Sequence, residues 1–170
     1  VEKEEIDNNT STLRCSIKFN ATEFWKYTTS YSGIPDPVIS PNSINLLNDG
    51  NLDSGVELTI SKSDNSSFSN PEIRFIADNI EYGLCALEGT FTKIILRTDD
   101  SIQGLDLYNG DTVLDNPFSY INFNLSDGEK EFPFPKLKTG KLTTIEFSYD
   151  NIGSESQNFV AIFDKEYVSV

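Results

Sequence analysis

Histidine and methionine are both missing from this 170-residue sequence, tryptophan occurs once and cysteine twice. Without histidine the chain cannot run a Ser-His-Asp or Cys-His mechanism, and it cannot build a His-ligated zinc, copper or non-haem iron site. Two cysteines alone leave too few ligands for a structural zinc. Basic residues are scarce: 13 Lys+Arg stand against 27 Asp+Glu, a formal net charge of −14. A surface of that sign repels phosphate backbones, so no nucleic acid is expected as a partner. No apolar run approaches the roughly 18–20 residues that span a bilayer, so no transmembrane segment is expected. A nucleophile elbow, a phosphate loop, a dinucleotide fingerprint and a repeat of fixed period are likewise not found.

What the chain does contain is a two-residue rhythm. Aromatics make up 12%, enough large apolar groups to bury in a core and too many for a disordered chain. Leu13, Cys15, Ile17, Phe19 and Ala21 alternate with polar neighbours, as do Val56, Leu58 and Ile60, then Ile73, Phe75 and Ala77. Such alternation is the mark of half-buried strands. Phe24–Thr28, Leu84–Leu87, Phe91–Leu96, Leu105–Leu107, Ile121–Leu125, Leu142–Tyr149, Phe159–Phe163 and Tyr167–Val170 read as further strands. Turn residues part them, including Gly33–Pro37, Asn48–Gly55 and the hairpin signal Asn109-Gly110. The pattern predicts an all-β fold: a single antiparallel β-sandwich of about ten strands, jelly-roll or Ig-like. Residues 1–11 read as a flexible N-terminal arm and 12–170 as one domain. Val1 reads as the start of a mature or trimmed chain.

Cys15 and Cys85 would stabilise by about 4 kcal/mol if bridged across so long a loop. The alternative is two buried free thiols, and Cys15 lies in phase with Leu13 and Ile17. Asn-x-Ser/Thr sequons at Asn8, Asn9, Asn20, Asn65 and Asn124 follow from a composition rich in these residues.

Three groupings point to chemistry. Asp49, Asn51 and Asp53 place oxygen side chains at alternating positions, like the first half of a calcium loop. That match breaks down at Gly55, one place late, and at Ile60, where a bidentate Glu belongs; a plain Asx-rich turn is the alternative. Trp25 and Tyr27 lie two apart with Tyr31 close behind, a spacing that suits flat rings stacking on sugars. Filling the core is the other fate for these rings. Paired carboxylates for glycoside hydrolysis would have to stand about 5–5.5 or 6.5–9.5 Å apart. The acids here are diffuse, and Glu146 points away from its apolar neighbours Ile145 and Phe147. No enzyme activity is therefore expected.

The segments Ile73–Asn79, Phe91–Leu96 and Leu142–Tyr149 resemble strands of β-sandwich modules in surface lipoproteins of gut Bacteroidetes. Thr92–Ile94 followed by Gly104 is similar to the fimbrillin-like pilins and adhesins, and Phe159–Ile162 to the last strand of jelly-roll, carbohydrate-binding-like modules. The resemblance implies a secreted or cell-surface protein, with the acidic start as a tether behind a lipid anchor upstream of residue 1. Its partner would be carbohydrate or another surface protein. The expected function is a non-catalytic, glycan-directed binding module using Trp25, Tyr27 and Tyr31. The alternatives are a pilin-like subunit assembling through strand edges and, behind it, a glycan-active enzyme.

Overall fold

The computed structural model describes residues 2–3, 15–16, 24–33, 43–62, 66–126, 128–150 and 157–168. Fourteen strands run through them: β1 Glu2–Lys3, β2 Cys15–Ser16, β3 Phe24–Gly33, β4 Ser43–Asn48, β5 Val56–Lys62, β6 Phe68–Ser69, β7 Glu72–Ala77, β8 Ile80–Ala86, β9 Thr90–Phe91, β10 Lys93–Arg97, β11 Gly104–Asn109, β12 Thr112–Val113, β13 Lys141–Ser148 and β14 Gln157–Val168. Every pairing between these strands is antiparallel. One sheet has six strands in the order β12-β11-β10-β5-β14-β3, and the other has four in the order β4-β13-β7-β8. Two short ribbons, β1-β2 and β6-β9, complete the set. The expected all-β antiparallel sandwich is what the chain forms.

Alternation explains the layering. In β5, Val56, Leu58 and Ile60 are buried; they face Ile94 and Leu96 of β10 and Phe159, Ala161 and Phe163 of β14 on the same side. The four-stranded sheet contributes Ile44, Leu46, Ile73, Phe75, Ile145 and Phe147 to the same buried cluster. Phe147 of β13 meets Phe159 of β14 across the layers, with ring centroids 6.2 Å apart and planes at 84°. Phe68 stands edge-on to Phe147 at 4.8 Å and to Tyr149 at 5.2 Å. Lys62 falls in the inward phase of β5, and its side chain is buried. Its ammonium donates to the Ser67 carbonyl at 3.1 Å and lies 4.8 Å from the Tyr149 ring centre, so desolvation is offset by a hydrogen bond and a cation–π contact.

Several expected elements differ. Ile121–Leu125 is not a strand: Pro117–Tyr120 and Phe123–Leu125 are 3-10 turns. The Asn122 side chain accepts the Asn124 N–H at 3.1 Å, a local bond that competes with a ladder. Only Ile121 keeps a strand-like bridge, to Leu87. Strand β4 carried no clear apolar signal because its third inward residue is Asn48. The two closing strands merge into β14, twelve residues long and paired on both sides by β5 and β3. Phe68-Ser69 pairs with β9. Within the expected N-terminal arm Glu2–Lys3 pairs with Cys15–Ser16, while the rest of that arm and most of the expected strand Leu13–Ala21 lie outside the described residues. Cys85 is a free, buried thiol, and burial pushes its pKa up to about 12.

Phe147 joins three other rings between the sheets, so Phe147→Ala leaves a cavity that its neighbours cannot refill. The expected loss is about 3–5 kcal/mol of unfolding free energy, measured by guanidinium denaturation. A loss below about 1 kcal/mol would place the main contact between the layers elsewhere.

Candidate functional site

The turn between β4 and β5 is built around Asn48, which is fully buried. Its side-chain amide donates to the Leu52 and Leu137 carbonyls at 2.9 and 3.1 Å, and its oxygen accepts the Gly50 N–H at 3.2 Å. Ser54 and Leu137 exchange backbone hydrogen bonds at 2.8–2.9 Å, and the Gly140 N–H reaches the Asn48 carbonyl at 2.8 Å. The Asx-rich turn thus holds the segment that enters β13.

Of the expected calcium ligands, Asp53 serves that role. Asp53 accepts the Thr139 N–H at 2.9 Å and faces the Lys138 ammonium at 3.0 Å. Asp49 faces Lys165 at 2.8 Å, and Asn51 is exposed at the turn. Among the described residues no three His, Cys, Asp or Glu side chains are grouped to hold a metal ion. Lys138 also bonds Glu131 and lies 5.4 Å from the Tyr82 ring centre. Partial burial works to raise the Asp53 pKa, but the Thr139 N–H together with Lys138 and Lys136 outweighs it, and the carboxyl lies below its ordinary value of 3.8. Burial opposes the charge on Lys138 too, yet Glu131 and Asp53 hold its pKa above the usual 10.5.

Trp25, Tyr27 and Tyr31 fall on β3, in register with Tyr167, Lys165 and Ala161 of β14. Their side chains lie outside the described residues.

A second ionic group crosses the outer face of the six-stranded sheet. Arg97 of β10 donates to Glu57 of β5 and to Asp106 of β11, both at 2.8 Å. The Asp106 hydrogen bond does most to raise the Arg97 pKa above its ordinary value, against partial desolvation. This ladder borders a shallow cleft of about 180 Å³ that also meets Asp99, Ile102 and Ile162. Gly55 lines it because a Cβ there would come 2.3 Å from the Asp99 backbone.

An exposed apolar feature lies on the crossing from β12 to β13, where Ile121–Leu125 is expected as a strand. Phe118, Phe123 and Leu125 are 47%, 61% and 43% exposed. Phe118 leans edge-on against Phe134 at 6.1 Å, and Phe123 against Phe132 at 5.7 Å. The crossing runs along β8: the Leu84 N–H donates to the Glu131 carbonyl at 3.0 Å, and the Glu131 N–H to the Tyr82 carbonyl at 2.9 Å. The run Phe132-Pro133-Phe134-Pro135 carried a signal. Prolines on alternate positions cannot donate to a ladder, so the phenylalanines between them must lie at an edge.

No protein-family model and no curated protein matches the chain. Among solved structures, the Dit protein (gp 19.1) of phage SPP1, described as a paradigm of the hub adsorption apparatus in phages infecting Gram-positive bacteria, superposes with a TM-score of 0.50. Identity is 12%, and the match covers 84% of this chain and 47% of that one. The chain therefore spans about half the length of that protein. Two phage P2 baseplate structures in the activated conformation, with calcium and with strontium, give TM-scores of 0.38 and 0.39 at 17% and 16% identity, each over 64% of this chain and about a third of the other.

These findings overturn the resemblance to Bacteroidetes surface lipoproteins. With it go the glycan-directed reading and its pilin-like and glycan-active alternatives. The reason is physical. The segments that carried the resemblance are β7, β10 and β13, whose periodicity places Ile73, Phe75, Ile94, Leu96, Ile145 and Phe147 in the core. Any sandwich needs that pattern, so it discriminates no family.

Two predictions follow from the crossing. A Cβ on Gly83 would meet Pro135 Cβ at 2.2 Å, so Gly83→Ala should push the crossing off β8, with a loss of about 1–3 kcal/mol in thermal or chemical unfolding. An unchanged midpoint would show that the crossing does not lean on β8. Asp53 has a depressed pKa, so its contribution is present above its ordinary value and is lost as pH falls through its folded value. Asp53→Asn should cost about 1 kcal/mol near neutral pH, allowing for solvent screening. In melting curves the gap to wild type should close as pH falls below 3.8; a gap constant with pH would remove the carboxylate from the account.

Proposed function

We propose that this chain is a structural subunit of a phage tail hub or baseplate, working by assembly with protein partners. The observation that carries the reading is the superposition on the SPP1 Dit protein over 84% of the chain. Surface chemistry supports it. Asp53 and Glu131 face Lys138, and Glu57 and Asp106 face Arg97, so these carboxylates fasten strands and crossings to one another. Carboxylates held in this way suit a scaffold with no catalytic role of its own. Among the described residues no helix is long and apolar enough to cross a membrane. The extracellular location expected from the sequence takes a different form here, on a particle that meets a cell from outside.

Antibody raised against the folded chain should label the tail end of phage particles from the same source, at the tip away from the head, in negative-stain electron microscopy. Label on the capsid, or none on intact particles that contain the polypeptide by mass spectrometry, would refute the assignment.

A further inference from the structure

The aromatic crossing offers more than edge protection. Phe118 and Phe123 each rest on a half-buried ring, Phe134 and Phe132, which packs against the core. Rings supported in this way are already ordered, so a partner that covers them loses little conformational freedom on binding. Large aromatics in such positions are the side chains that dominate protein interfaces.

The surroundings select the partner by charge. Asp115 and Glu129 are exposed three positions before Phe118 and Phe132 in the chain, and the N–H of exposed Glu88 bonds the Tyr120 carbonyl at 2.7 Å, which ties that acid to the crossing. A groove of about 280 Å³ next to Leu125 is lined by Glu88 and Asp150. The nearby cations are engaged within the chain: Lys130 with Glu81 at 3.0 Å, Lys136 with Asp100 at 2.5 Å, and Arg74 with Glu72. The crossing is thus apolar at its centre and negative at its rim. A second copy would bring the same rim to a chain of net charge −14, and like charges set against each other across an interface cost several kcal/mol.

We propose that residues 117–126 and 128–134 form a docking surface for a different protein, one whose contacting segment is apolar at its centre and rich in lysine or arginine at its margin. The class of partner, a protein, rests on the hub reading. The position of the surface rests on the rings and acids alone.

Fluorescence anisotropy of labelled synthetic peptides tests it on the full chain. Peptides alternating Leu with Lys, Ser with Lys and Leu with Glu serve as probes. The Leu/Lys peptide should bind roughly tenfold tighter than either other one. Phe118→Ser with Phe123→Ser should remove that advantage, leaving binding at the Ser/Lys level. Ile80→Ser, an exposed apolar residue at the start of β8 and outside the crossing, should keep it. Should the double variant fold poorly by circular dichroism, Glu88→Lys with Glu129→Lys leaves the rings intact and should weaken the Leu/Lys peptide by a similar factor. Equal binding of Leu/Lys and Ser/Lys peptides, or an undiminished advantage in either variant, overturns the proposal. So does self-association in ultracentrifugation that disappears with the two phenylalanines and is accompanied by no peptide selectivity, which would assign the surface to a second copy. The titration needs no phage particle, so its failure leaves the labelling result standing, and the reverse holds as well.

Discussion

Backbone N–H and C=O groups along an outer strand must find partners, and among the described residues β8 closes its sheet with no further strand beside it. The crossing from β12 to β13 takes that place. Glu131 bonds Tyr82 and Leu84 through the backbone, Ile121 bridges Leu87, and Asn122 donates to the Ala86 carbonyl at 2.9 Å. The rest of this side of the molecule follows from the arrangement. A segment laid along an edge has one flank on the sheet and one in solvent. Its half-buried rings, Phe132 and Phe134, can reach the core only if their neighbours Phe118 and Phe123 stay outside. Gly83 is where the two chains come closest, and there the absence of a side chain sets how near Pro135 can lie.

Polar groups perform the corresponding task at the other end of the crossing. Asn48 sits in an inward position of β4, where an apolar residue would fill space but bond nothing. Its amide instead satisfies carbonyls from the turn and from the incoming segment. Lys138 then gathers Asp53 and Glu131 at the surface. A partly exposed ion pair contributes little alone. This one adds to a set of backbone bonds that already fix the geometry, so the charges refine a position that neutral hydrogen bonds determine.

The sandwich was legible because burial on one face imposes a period of two, and that signal survives in a single sequence. Val56–Ile60 and Leu142–Tyr149 were placed correctly on that ground. The same rule failed at Ile121–Leu125, where apolar and polar residues alternate as they do in β5. Periodicity does not report a competing local bond, and the Asn122 side chain supplies one. Strand β4 failed in the opposite direction, since its inward Asn48 satisfies distant carbonyls that sequence spacing cannot reveal. The acids of the turn at 49–53 were noticed for the right property, an excess of oxygen, and matched to a metal ion. Lys138 is 85 positions from Asp53, and no local pattern joins them.

A fold shared at 12% identity fixes where strands run and leaves their outward residues free to change. Function in such a chain must be read from what the core does not require. The core accounts for the inward positions of both sheets, for Asn48 and for Lys62. It does not account for Phe118 or Phe123, since the rings beneath them already seal the edge. Phe123 touches Phe132 edge-on but, at 61% exposed, leaves most of its ring in water. Large apolar side chains left in water, each propped from below on a chain of net charge −14, are what an interface looks like before its partner arrives. The fold likeness and the surface were reached by separate routes, one through backbone superposition and one through side-chain exposure.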